Sequence, residues 1–179
     1  MIEITKPKIE DAEQMQEVFY RTWLATYPNE EAGITVDDVE DQFNDRNSKE
    51  KLAKRRDWIS NPSAGEHVFV AKEEGKIVGL CSVILHDDKN RLKTIYVLPE
   101  HQGKGAGTLL WQEAQKFLNP KKDTVLWVAT YNANAIAFYK KLGFQESGNQ
   151  RQNERKMKSG THIPEMEMIK KADDEQQTD

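Results

Sequence analysis

Thiol chemistry is almost absent from this 179-residue chain. Its one cysteine, Cys81, has no partner for an intrachain disulfide, which excludes a disulfide-stapled scaffold. Cys81 lies in the apolar run 77–85 and reads as a small buried hydrophobe rather than a reactive thiol. Ten glycines and six prolines are too few for a collagen-like or low-complexity chain. No apolar run approaches the roughly 20 residues that a helix needs to cross a bilayer. The start, M-I-E-I-T-K-P, has neither the basic segment nor the apolar stretch of a secretory leader. Basic charge is not in excess: 26 Lys and Arg against 30 Asp and Glu give a net charge of -4, whereas nucleic-acid binders usually carry a basic excess or stripe. The four histidines and one cysteine show no H-x-x-x-H or C-x-x-C spacing, so no metal site is expected. Neither nucleic acid nor membrane is an expected partner, and the expected setting is cytoplasmic.

The length suits one domain. Residues 2–5 read as a short strand. Residues 9–27 carry apolar positions at helical spacing (Met15, Val18, Phe19, Trp23), with Asp11 placed as N-cap. A charged helical stretch covers 36–59, with a break near Asn47-Ser48. Strands are expected at 67–71, 76–85 and 92–98, joined by tight turns at Glu74-Gly75 and residues 87–90. The period then changes: a helix starts near Ala106, a strand covers 124–129, and a short helix carries Ala135, Tyr139 and Leu142. Phe144 opens a further strand, a polar loop is expected over 148–161, and a last strand over 163–169. Residues 1–170 thus form one mixed α/β domain, and 171–179 are expected to be a disordered polar tail. A strand near the C-terminus offers an edge for a homodimer.

Chemistry concentrates in residues 94–110, T-I-Y-V-L-P-E-H-Q-G-K-G-A-G-T-L-L. A strand ends, a turn follows, and Gly103, Gly105 and Gly107 stand where a helix begins. Unpaired N–H groups and partial positive charge at a helix start suit a phosphate or pyrophosphate, and glycines let the anion approach the backbone. The spacing matches neither G-x-x-x-x-G-K-(S/T) nor G-x-G-x-x-G. A flexible helix entry that binds nothing is the alternative.

Gln102-x-x-Gly105-x-Gly107 after a strand, followed by N-A-N-A-I-A-F-Y-K-K-L-G-F at 132–144, resembles the two signature segments of the GNAT superfamily of acetyl-CoA-dependent N-acetyltransferases. The segments R-T-W-L-A-T-Y-P and I-P-E-M-E-M are most similar to the branch that includes bacterial spermidine/spermine acetyltransferases. The resemblance implies a single-domain GNAT fold, with a mixed, mostly antiparallel sheet flanked by helices. It implies acetyl-CoA as cosubstrate and an amine as acceptor. By the same resemblance, Ile95, Tyr96 and Val97 offer backbone groups to the pantetheine arm. Gln102, Gly103, Lys104, Gly105, Ala106, Gly107 and Thr108 wrap the pyrophosphate. Asn132 contacts the cofactor arm, Phe138 packs near it, and Tyr139 protonates the departing thiolate. From spacing alone Tyr139 and Phe138 are equally readable as core, Asn132 as a helix cap, and Lys140 and Lys141 as a solvated face.

The glutamates that many GNAT enzymes use as general base fall at Arg91 and Trp127 here. Glu66, His67 and His86 are near in sequence to the strands concerned. Glu30 and Glu31 in the first inter-helix loop suit a cationic amine, while Arg151, Arg155, Lys156 and Lys158 suit an anion. The expected function is transfer of acetyl from acetyl-CoA to a primary amine of a small molecule or peptide. The rival is a non-catalytic acyl-CoA-binding regulator that kept the cofactor loop without the base.

Overall fold

The structure, a computed structural model, describes residues 1–173. Its strands are β1 (Ile2–Thr5), β2 (Glu66–Glu73), β3 (Lys76–Leu85), β4 (Asn90–Val97), β5 (Thr124–Ala129), β6 (Gln145–Lys156) and β7 (His162–Lys170). Its helices are α1 (Ala12–Thr26), α2 (Val36–Phe43), α3 (Lys49–Ser60), α4 (Ala106–Gln115) and α5 (Ala133–Lys141). The strands form one seven-stranded sheet in the order β1-β2-β3-β4-β5-β7-β6. Every neighbouring pair is antiparallel except β4–β5. This is the mixed, helix-flanked sheet expected from the sequence.

Alternation along β2 shows how the layers are built, because successive side chains point to opposite faces. Phe69 and Ala71 pack with Ala106, Leu110 and Ala114 of α4, while Val68 and Val70 pack with Met15 and Val18 of α1. Helices α1, α2 and α3 cover one face of the sheet, and α4 and α5 the other. Cys81 is fully buried in the α4 face, where desolvation pushes its thiol pKa up.

Three expectations meet more detail in the structure. Asp11 holds the N-cap position of α1 as expected but makes no side-chain cap there: its carboxylate accepts from Lys8 N–H at 2.8 Å and pairs with Lys72 Nζ at 2.9 Å, so it closes the preceding 3-10 turn (Ile9–Asp11) instead. Most of the expected loop 148–161 is strand, since β6 continues to Lys156 against β7, with register breaks between Glu146 and Gln150 and between Gln152 and Lys156. In the expected tail, Ala172 N–H and Lys171 Nζ reach Asp123 at 2.8 and 3.0 Å, and Asp173 N–H donates to the Pro120 carbonyl; residues 174–179 lie outside the described residues.

Asp38 joins two distant parts of the chain. Thr35 caps α2, and Asp38 completes a capping box with it. The other carboxylate oxygen accepts from Ser159 N–H at 2.6 Å in the β6–β7 turn. Burial pushes the Asp38 carboxyl up, but the bonds from Thr35 and Ser159 outweigh it and hold the pKa at about 2. Because the folded value lies below the unfolded one, this stabilisation is present above about pH 4 and lost as pH falls toward 2. Asp38→Ala should therefore destabilise the fold by about 2 kcal/mol at neutral pH. Urea melts should show that difference shrinking on acidification.

Candidate functional site

Strands β4 and β5 begin as a parallel pair but do not stay one. Asn90 pairs with Thr124 and Arg91 with Val125, and there the ladder ends. On the other side of β4, Ser82 pairs with Thr94 and Val83 with Leu92, which leaves Lys93 as the extra residue of a β-bulge. A bulge bends and twists its strand, here carrying β4 away from β5. Glu66 pins the bulge, accepting from Lys93 Nζ at 3.0 Å and from Ser82 Oγ at 3.2 Å. The splayed strands open a cleft of about 790 Å³.

One wall is the unpaired edge of β4, with Ile95, Tyr96 and Val97. The end wall is the turn into α4. Gln102, Gly103, Gly105, Ala106, Gly107 and Thr108 all line the cleft, whereas Lys104 does not. Gln102 Nε2 donates to the Val97 carbonyl at 3.0 Å and so closes the turn back onto β4. Gly103 and Gly105 have φ of 74° and 89°, the left-handed region that suits glycine. A Cβ on either would meet nothing within 4 Å, so both face open space. Gly107 serves packing instead: a Cβ there would stand 3.1 Å from Phe138 Cζ. The first N–H groups of α4 have no acceptor within the helix and point to the same end. This cradle of backbone donors without side chains fits a pyrophosphate.

The opposite wall is β5 and α5, with Trp127, Asn132, Phe138, Tyr139 and Lys141. Asn132 caps α5, its Oδ1 accepting from Ala135 N–H at 3.1 Å. Tyr139 is 8% exposed and packs edge-on to Phe144. Among the described residues its hydroxyl has no hydrogen-bond partner. Burial, with Tyr96 and Cys81 nearby, pushes its pKa up. Lys140 turns away and pairs with Glu146 at 2.7 Å.

Two further tyrosines line the cleft that sequence reasoning did not single out, Tyr27 and Tyr131. Tyr27 Oη lies 3.2 Å from Tyr96 Oη, and Tyr131 Oη donates to the Tyr27 carbonyl at 2.8 Å. Burial raises the pKa of all three, Tyr131 to about 12. The available signal was positional: Tyr27 ends α1, and Tyr131 directly precedes Asn132.

No carboxylate lines the cleft among the described residues. Arg91 lies where β4 and β5 are still paired and does not reach it, while Trp127 does. Glu66 is committed to the bulge. His67 stacks on Phe117 at 4.7 Å, outside the cleft, and His86 closes the β3–β4 turn. None of the three comes to the site.

Comparison with known proteins agrees with this geometry. The model of the acetyltransferase (GNAT) family matches residues 12–144. A spermidine N(1)-acetyltransferase of Thermoplasma acidophilum is 31% identical over 148 residues, 80% of this chain and 88% of that protein. The structure of a PaiA N-acetyltransferase from Thermoplasma acidophilum in complex with coenzyme A superposes with a TM-score of 0.72 at 26% identity, covering 96% of this chain and 99% of the other. The ribosomal-protein-S18-alanine N-acetyltransferase of Escherichia coli shares the fold, with a TM-score of 0.63 at 22% identity and coverage of 96% and 94%.

Proposed function

The chain belongs to the GNAT family of acetyltransferases, and from that premise we propose that it moves the acetyl group of acetyl-CoA directly onto a primary amine of a small molecule or peptide, with Tyr139 beside the leaving thiolate. The observation that carries this reading is the splay of β4 from β5, with a glycine cradle at one end and a buried, unpartnered phenol on the far wall. The free edge of β4 at Ile95–Val97 receives the pantetheine amides as an added strand. The N–H groups from Gly103 to Thr108 take the pyrophosphate. Phe138, fixed by Gly107, packs against the arm, and Asn132 holds the start of α5 at its side.

In the reaction the neutral amine attacks the thioester carbonyl, a C–N bond forms, and the C–S bond breaks. A thiol has a reference pKa near 8.5, below that of the buried phenol. Tyr139 therefore stabilises the developing thiolate as a hydrogen-bond donor rather than by giving its proton away. The raised phenols of Tyr27, Tyr96 and Tyr131 are no bases at neutral pH, and among the described residues no carboxylate faces the cleft. The ammonium proton accordingly leaves to water, and an amine of low pKa has the advantage. The spermidine named for the relative makes polyamines one class to try, although among the described residues the cleft offers a second ammonium no carboxylate. The free thiol and the demand for acetyl-CoA fit a cytoplasmic setting.

Acetyl-CoA at about 100 times its Kd should raise Tm by roughly 5–10 °C. CoA release should exceed hydrolysis with one class in a panel of polyamines, amino acids, aminoglycosides and short peptides. A Tm shift without release from any amine would favour the regulator, and no shift at all would remove the cofactor assignment.

A further inference from the structure

A second concavity, of about 220 Å³, lies on the α1–α3 side of the sheet, between α1, the α2–α3 linker, α3 and β6. Five cationic side chains border it: Arg46, Lys51, Lys54, Arg55 and Arg155, with Asp45 as the one carboxylate. Three of the cations have counter-charges. Asp45 stands 3.6 Å from Lys51, Glu50 2.7 Å from Lys54, and Glu17 3.7 Å from Arg46 Nε. Arg55 and Arg155 have none among the described residues.

Arg55 is held in place rather than free. Its Nε and Nη2 both donate to Gln16 Oε1, and its guanidinium lies over the rings of Phe19 at 4.2 Å and Trp58 at 4.9 Å. Arg155 reaches in from β6 and covers Trp23 at 5.0 Å. Burial and the facing Arg155 charge bring the pKa of Arg55 down to about 10. Two guanidiniums braced toward one cavity by aromatic faces and an amide, without a carboxylate between them, repel each other. A bound oxyanion would relieve that repulsion and accept bidentate bonds.

We propose that this cavity binds a phosphate or carboxylate group between Arg55 and Arg155. The aromatic rings under the two guanidiniums pack against tyrosines that line the cleft: Phe19 lies edge-on to Tyr96 at 5.6 Å, and Trp23 to Tyr27 at 4.5 Å. The anion is therefore either the far end of the acceptor or a free effector one aromatic layer from the reaction. The acceptor arm of this inference rests on the acetyltransferase reading; binding of the anion does not.

The test is titration of the full chain with inorganic phosphate, with the glycine cradle first saturated by acetyl-CoA, in wild type, Arg155→Gln and Arg55→Gln. Arg155 is exposed on β6, so its variant keeps the fold, and retained acetyl-CoA binding checks this. Wild type should gain Tm with phosphate, and Arg155→Gln should weaken phosphate binding at least tenfold. Identical phosphate titrations of wild type and Arg155→Gln overturn the proposal, whatever the acetyl-CoA results. The same amine assayed with and without a carboxylate then separates the sources. If the site takes the acceptor's own anion, phosphate competes with the anionic acceptor, and Arg155→Gln raises its KM about tenfold with kcat nearly unchanged. If it takes a free effector, phosphate binds but does not compete, and the acceptor KM is the same in both proteins.

Discussion

Tyr139→Phe lowers turnover with a saturating amine by about 100-fold or more, while Tm and the Kd for acetyl-CoA stay close to wild type. The hydroxyl has no partner among the described residues, so its removal leaves no donor or acceptor stranded. The ring remains, and with it the contacts to Phe138 and Phe144 at 5.6 and 6.0 Å. A purely structural tyrosine would give the opposite pattern, with little change in rate and some loss of stability. The pH profile adds a second check. Burial raises the phenol's pKa, so the donor stays protonated throughout the range in which amines lose their protons. The rate should therefore climb with pH as the acceptor deprotonates, without a falling limb from Tyr139 below pH 10. An unchanged kcat in the phenylalanine variant would refute the assignment.

Gly105→Val should weaken acetyl-CoA binding about 100-fold or more while costing only a few degrees of Tm. At φ 89° a side chain pays the left-handed backbone penalty of about 1–2 kcal/mol. A Cβ here meets nothing within 4 Å, so the first added carbon faces open space rather than the protein. What the side chain obstructs is the space before the first N–H groups of α4. Losing two charge-assisted bonds there, at about 1.5–3 kcal/mol each, is at least a hundredfold in Kd. Gly107→Ala is the informative contrast. Its Cβ presses on Phe138 within 3.1 Å, so it disturbs packing between α4 and α5 more than the anion cradle. Calorimetry with acetyl-CoA on both variants tells them apart. Wild-type affinity in Gly105→Val would place the pyrophosphate elsewhere.

Much of this molecule is legible in its sequence. Residues 2–5, 76–85 and 124–129 are strands with the predicted bounds, because each is an apolar or β-branched run stopped by turn residues. The break in 36–59 fell where Ser48 caps α3. Twelve of the thirteen residues assigned to the site line one cleft, Lys104 excepted, since they sit in two segments whose local geometry is set by glycines and a capping asparagine.

Other features depend on partners far along the chain. The segment Q-E-S-G-N-Q-R-Q-N-E-R-K carries no apolar period, and β6 exists only because β7 offers it a hydrogen-bonding edge. The splay that makes the cleft follows from a one-residue register shift at Lys93, which no composition rule marks. Tyr27 and Tyr131 reach the site from elements 104 residues apart, and the Arg55–Arg155 pair meets only because α3 and β6 close on α1. The sequence by itself determined the helices, the strands other than β6, the glycine turn and the family, all of which rest on neighbours within a few residues. Tertiary structure alone decided the edge strand, the depth of the cleft and which charges face each other unpaired, because concavity and charge pairing are properties of surfaces assembled from distant segments.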